Sequence, residues 1–126
     1  MTKEIINSSN APAPIGPYNQ AVKAGNLLFV SGQIAIDPSN GQLVLDSIEA
    51  ETTMVLKNLQ AILNEADTSF SNVLKSTIFI SDMNNFAKIN EIYGQFFSEP
   101  YPARETVEVS KLPKGVNVEI SVIALV

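Results

Sequence analysis

The sequence predicts a two-layer α+β domain, a six-stranded and mostly antiparallel mixed sheet with two helices on one face. Three observations lead there. Apolar residues recur at helical spacing in two segments, 48–66 and 83–97. Alternating and β-branched runs, separated by Gly- and Pro-rich turns, fill most of the remaining chain. Two helices cannot cover both faces of six strands, so they gather on one. The 126 residues suit a single domain spanning 1–126 that buries about two-thirds of its unfolded surface.

In chain order, 4–7 reads as a short edge strand. Pro12, Pro14, Gly16 and Pro17 then make 10–17 an irregular connection, because proline fixes φ and removes a donor. A strand over 18–24 ends at the Gly25-Asn26 turn. A second strand covers 27–36, with Leu28, Val30, Gly32, Ile34 and Ile36 on one face. The other face carries Leu27, Phe29, Ser31, Gln33 and Ala35, so both sides are expected to be buried. Gly32 in mid-strand is costly unless something approaches its backbone closely. A turn at 37–41 leads into a short returning strand at 42–45.

The first helix is marked by Ile48, Thr52, Val55, Leu59, Ile62, Leu63 and Ala66. Asp46 or Ser47 can cap it, and Glu49 and Glu51 sit in its positive first turn. After a strand at 73–81, the second helix carries Met83, Phe86, Ile89, Tyr93, Phe96 and Phe97 on one stripe, with Asn90 on or beside it. Pro100 and Pro102 stop that helix ahead of a strand at 103–109. A turn at 112–115 precedes the last strand, 117–125. There Val118, Ile120, Val122 and Ala124 face one way and Glu119, Ser121, Ile123 and Leu125 the other. The uncovered sheet face then bears Phe29, Ile123 and Leu125, a patch of the kind that marks subunit contact, so an oligomer is expected.

Composition narrows the chemistry. The chain has no Cys, His or Trp, which excludes disulfides, Cys- or His-rich metal sites, Cys nucleophiles and Ser-His-Asp triads. No phosphate-binding Gly loop or other metal-binding pattern is present. Net charge is −5, neither half of the chain is basic, and nucleic acid is not an expected partner. The start lacks the apolar run of a signal peptide and no stretch is long enough to span a membrane, so a cytoplasmic location without membrane contact is expected.

Seven of the eight basic residues are lysines, and Arg104 is the one arginine. At the start of a strand it is either a carboxylate anchor or a surface ion pair with one of thirteen acids. Glu119, among Val118, Ile120 and Val122, is either a half-buried acid able to hold water or the cross-strand partner of a lysine. Tyr18 is plain packing or a cover over a ligand. Ser31-Gly32 is a strand kink or a place of close ligand approach. Asn90 orients a ligand or binds neighbouring backbone.

Taken together these segments resemble the reactive intermediate deaminase (YjgF) family. The matches are Ala13-Pro14-Ile15-Gly16-Pro17-Tyr18, Val30-Ser31-Gly32-Gln33-Ile34, Phe86 through Asn90 to Phe97, Pro102-Ala103-Arg104, Val107-Glu108-Val109, Leu112-Pro113-Lys114 and Val118-Glu119-Ile120. They occur in family order over nearly the whole chain. The resemblance implies a chorismate-mutase-like fold and a homotrimer with a central barrel of sheets, helices outside and ligand clefts between subunits. It implies hydrolysis of 2-imino acids, such as 2-iminobutanoate and 2-iminopropanoate, to 2-oxo acids and ammonia, without metal or organic cofactor. By the same resemblance Arg104 grips the substrate carboxylate and Glu119 positions the attacking water. Tyr18, Ser31, Gly32 and Asn90 shape the cleft.

One departure stands out. The family usually has a small residue after the arginine, often followed by cysteine, whereas here the pair is Glu105-Thr106. Strand alternation should turn Glu105 away from Arg104 and keep Thr106 on the arginine's side as a pocket-lining group. The competing readings are a trimer that binds a small carboxylate without turnover and, against the acidic charge, a ribonuclease or translation inhibitor.

Overall fold

The computed structural model describes residues 2–126. The elements run β1 (Lys3–Ile6), β2 (Ala21–Ala24), β3 (Leu27–Gln33), α1 (Ile48–Glu65), β4 (Val73–Ile80), α2 (Phe86–Phe96), β5 (Ala103–Glu108) and β6 (Val118–Leu125). The six strands form one sheet in the order β1-β2-β3-β6-β4-β5. All neighbours are antiparallel except β4 and β5. A parallel pair needs a crossover, and α2 provides it. The two-layer α+β reading holds.

Local chemistry explains where the helices begin. Ser47 is extended, and its hydroxyl accepts from Ala50 N at 3.0 Å, so the cap is Ser47 rather than Asp46. The second helix starts later than its stripe suggests. Asp82 accepts from Asn84 N and starts a short 3-10 turn over Met83–Asn85, and the α-helix begins only at Phe86. Met83, expected on the buried stripe, is exposed.

The core lies between the sheet and both helices. Leu28, Ile78, Ile80, Val118 and Ile120 of the sheet are fully buried, as are Val55, Leu56, Leu59, Ile62 and Leu63 of α1 and Ile89 of α2. Each such Leu or Ile contributes about 1.5–3 kcal/mol relative to exposure. The opposite sheet face is bare. It carries Ile5, Phe29, Val107 and Leu125, with Phe29 45% and Leu125 38% exposed.

Three strand expectations need correction, and each concerns the region that shapes a cleft. The strand expected over 18–24 begins only at Ala21, and Tyr18 lies in a loop. Buried Gln20 holds that loop: its side chain accepts from Ser8 N at 2.6 Å and donates to Ser8 O at 3.0 Å and Pro12 O at 2.9 Å. The strand expected over 27–36 stops at Gln33, and within it the register with β6 slips between Val30 and Gln33. The extra residue reverses the alternation. Gln33 and Ala35 become buried while Gly32 is exposed, opposite to an uninterrupted strand. The strand expected at 42–45 is a single bridge, Ile36 to Leu43.

Candidate active site

The residues singled out from sequence fall into two groups on opposite faces of the sheet. Arg104 stands on β5 opposite Ser76 of β4, which is buried on the helix side. Glu119 stands on β6 opposite Phe79 of β4, three residues from Ser76 and therefore on the bare face. Two strand spacings and three residues of register put the two backbones about 14 Å apart. One subunit does not bring them together.

Glu119, Tyr18, Ser31 and Gly32 line one cleft of about 550 Å³, together with Gln33, Ile34 and Lys114. What sets Gly32 apart there is space rather than φ. A Cβ on it would lie 2.8 Å from both Cδ and Oε2 of Glu119, so the carboxylate is what approaches that backbone closely. Half-buried Glu119 has its pKa raised by burial. Ser31 donates to Asn19 O at 2.6 Å, and the Tyr18 hydroxyl accepts from Ile15 N at 3.3 Å. These two hydroxyls keep acceptor and donor capacity, respectively, toward the cleft.

The raised pKa has a consequence for stability. The folded state holds the Glu119 proton more tightly than the unfolded chain does. Its ionisation therefore costs stability as pH rises from the unfolded carboxylate value through the folded one. Glu119→Gln removes that cost. The variant is expected to melt higher than wild type at pH 7, with the difference vanishing below about pH 4. Thermal midpoints at the two pH values check this, and a variant less stable at pH 7 contradicts it.

Arg104 and Asn90 line the second cleft, about 430 Å³, with Tyr93, Gly94, Tyr101 and Pro102. Arg104 Nη1 donates to Asn90 Oδ1 at 2.7 Å. The guanidinium carbon lies 4.9 Å from the centroid of Tyr93 and 5.7 Å from that of Phe86. Tyr93 is fixed in turn by a 2.9 Å hydrogen bond to Ser76 and by stacking on Phe97 at 4.1 Å. Burial raises the Tyr93 pKa, opposed by the Ser76 bond and the Arg104 charge. Asn90 thus binds the arginine, not backbone.

Arg104 is not in a surface ion pair: the salt bridge recorded among the described residues joins Lys75 to Glu105 at 3.3 Å. Glu105 also accepts from Thr77 at 3.3 Å on the bare face. It therefore leaves the guanidinium free, as alternation requires. Thr106 shares the face of Arg104 but lines neither cleft. Tyr93, Tyr101 and Lys114 were not singled out as site residues. Tyr93 lay on the core stripe, Tyr101 between two prolines, and Lys114 in a turn, so only their neighbours in space reveal them.

A two-cleft geometry offers a fixed guanidinium on one side and a partly desolvated carboxylate on the other. Among the described residues no cluster of three acidic side chains could hold a metal ion, and no helix is long and apolar enough to cross a membrane.

Comparison with known proteins gives the family. A RutC family protein of Pyrococcus horikoshii is 54% identical over 97% of both chains. A protein of Mus musculus named 2-iminobutanoate/2-iminopropanoate deaminase is 45% identical over 98% of this chain and 91% of its own. The solved structure of Escherichia coli TdcF with bound serine superposes with a TM-score of 0.92, at 42% identity over 98% of each chain. The sequence profile described as endoribonuclease L-PSP matches residues 8–126. With that match over nearly the whole chain and relatives of such similarity, the chain belongs to the endoribonuclease L-PSP family, also called the YjgF, RutC or Rid family.

Proposed function

We propose that the protein hydrolyses 2-imino acids, among them 2-iminobutanoate and 2-iminopropanoate, to 2-oxo acids and ammonia. The active unit in this reading is a homotrimer whose bare sheet faces meet. Each site then joins the Arg104 cleft of one subunit to the Glu119 cleft of the next. The observation that carries the reading is Arg104, a guanidinium steadied by Asn90 and two rings, without a carboxylate partner among the described residues. Two sources add support. The Mus musculus relative bears the deaminase name, and the TdcF structure holds serine, a small amino acid with the same carboxylate group.

The chemistry follows from these groups. Arg104 grips the substrate carboxylate with its remaining N–H donors and fixes the imine carbon relative to Glu119. Glu119 accepts a hydrogen bond from water and takes its proton as the oxygen adds to the protonated C=N bond. The tetrahedral carbinolamine then receives that proton on nitrogen, and the C–N bond breaks as Glu119 takes the hydroxyl proton, so that ammonia leaves and the carbonyl forms. A protonated imine is already electrophilic, so orientation and a held water suffice, contributing about 2–5 kcal/mol at tenfold per 1.36 kcal/mol. A carboxylate with its pKa raised by burial suits repeated proton exchange.

A coupled assay tests the reading. A threonine dehydratase generates 2-iminobutanoate, and trapping of the free imine is followed with and without the purified protein. Added protein should shorten the imine's lifetime in proportion to its concentration. An unchanged lifetime, with ligand binding retained, would instead identify a non-catalytic carboxylate binder.

A further inference from the structure

We infer that Glu51 is a positioning residue for the Glu119 cleft: its buried carboxylate holds the two residues preceding Glu119 and so sets where that side chain points. The inference rests on the reading of Glu119 as the acid that holds water. Glu51 lies in the first turn of α1, is fully buried and lines neither cleft described above. Its Oε2 accepts from Asn117 N at 2.8 Å and from Val118 N at 3.3 Å, and its Oε1 accepts from Asn117 Nδ2 at 2.7 Å.

This grip falls where the sheet gives least support. On the β4 side, β6 is paired from its first residue, Val118 to Ile80, and Ser81 N donates to Asn117 O at 3.1 Å. On the β3 side the ladder ends at Gln33 and Ile120, short of Glu119. Glu51 takes the place of the missing strand there. Just upstream lies the 3-10 turn Pro113–Gly115, with Lys114 at a left-handed φ of 57°, and Pro113 and Lys114 line the Glu119 cleft. One carboxylate therefore fixes the joint between that turn and the strand that carries Glu119. An ionised carboxylate only accepts, which suits three converging donors. Removing it takes from the Asn117 and Val118 N–H groups the acceptor they use.

The role asks for acceptor geometry rather than charge. A glutamine keeps one oxygen for the two backbone donors, and the Asn117 amide can rotate to accept from its NH2. Alanine keeps nothing. Aspartate keeps the charge but withdraws it by one methylene.

The experiment compares Glu51→Ala, Glu51→Gln and Glu51→Asp with Leu59→Ala, a core truncation on the same helix. It reads kcat and KM for imine hydrolysis and titrates the Glu119 carboxyl by NMR. The expected result is a loss of about tenfold or more in kcat for Glu51→Ala, with KM within about twofold, because a held water is lost but the carboxylate anchor is not. The Glu119 titration should shift from its wild-type position. Glu51→Gln should retain kcat within about twofold, and Leu59→Ala should lose stability while keeping kcat. If Glu51→Ala does not fold, Glu51→Asp carries the same expectation. Wild-type kcat and Glu119 titration in both Glu51→Ala and Glu51→Asp, or an equal kcat loss in Leu59→Ala, would overturn the inference. If the wild-type protein hydrolyses no imine, the functional reading fails, while the Glu119 titration still decides whether Glu51 positions that side chain.

Discussion

Replacing Arg104 with alanine is expected to remove nearly all imine hydrolysis while leaving the fold intact. A pair of charge-assisted hydrogen bonds to the substrate carboxylate contributes about 3 kcal/mol, so kcat/KM should fall by about a hundredfold or more, close to the rate in water. The same figure is most of what the enzyme has to supply, which is why one residue carries so much. Structural cost should be small. The arginine is exposed, and its loss removes one hydrogen bond to Asn90 and ring contacts worth about 1–2 kcal/mol together. Arg104→Lys is a sharper probe. Lysine keeps the charge but not the planar fork, and its ammonium cannot both lean on Asn90 and present two parallel donors. It should recover only part of kcat/KM, the shortfall lying mainly in a higher KM. Hydrolysis unchanged in Arg104→Ala would sink the mechanism, and full recovery in Arg104→Lys would reduce the anchor to a point charge.

The sequence made the elements legible because their signals are local. The Ser47 cap, the spacing of Val55, Leu59, Ile62 and Leu63, and the alternation of β6 each depend on neighbours a few residues away. The bare face was legible for the same reason, since Phe29, Ile123 and Leu125 have no helix left to cover them. At Ser31-Gly32 a strand kink was one of two readings, but the register slip itself was not legible. A register slip depends on what lies across the sheet, and Glu119 is 87 positions further along the chain from Gly32. Glu51 was hidden likewise. In sequence it is one of two acids in a first helical turn, and only the fold brings Asn117 and Val118 to it. The candidate residues were named individually, but their division between two faces follows from the register of β4 against β5 and β6.

That division makes subunit complementation the most discriminating test of the site. Arg104→Ala and Glu119→Gln subunits should each be nearly inactive as homo-oligomers, since one lacks the anchor and the other the base. In a head-to-tail ring every site takes Arg104 from one subunit and Glu119 from its neighbour. Wherever a Glu119→Gln subunit offers its intact arginine to an Arg104→Ala subunit with an intact glutamate, a complete site forms. Random mixing in equal amounts should therefore restore about a quarter of wild-type activity, the chance that both neighbours are right at a given interface. The double variant Arg104→Ala/Glu119→Gln mixed equally with wild type is the control: a shared site should leave about a quarter of wild-type activity, and a site within one subunit about half. A site contained in one subunit gives the opposite pattern, with no activity above the two homo-oligomers on mixing the single variants. The backbones of Arg104 and Glu119, about 14 Å apart and on opposite faces of one sheet, argue for recovery.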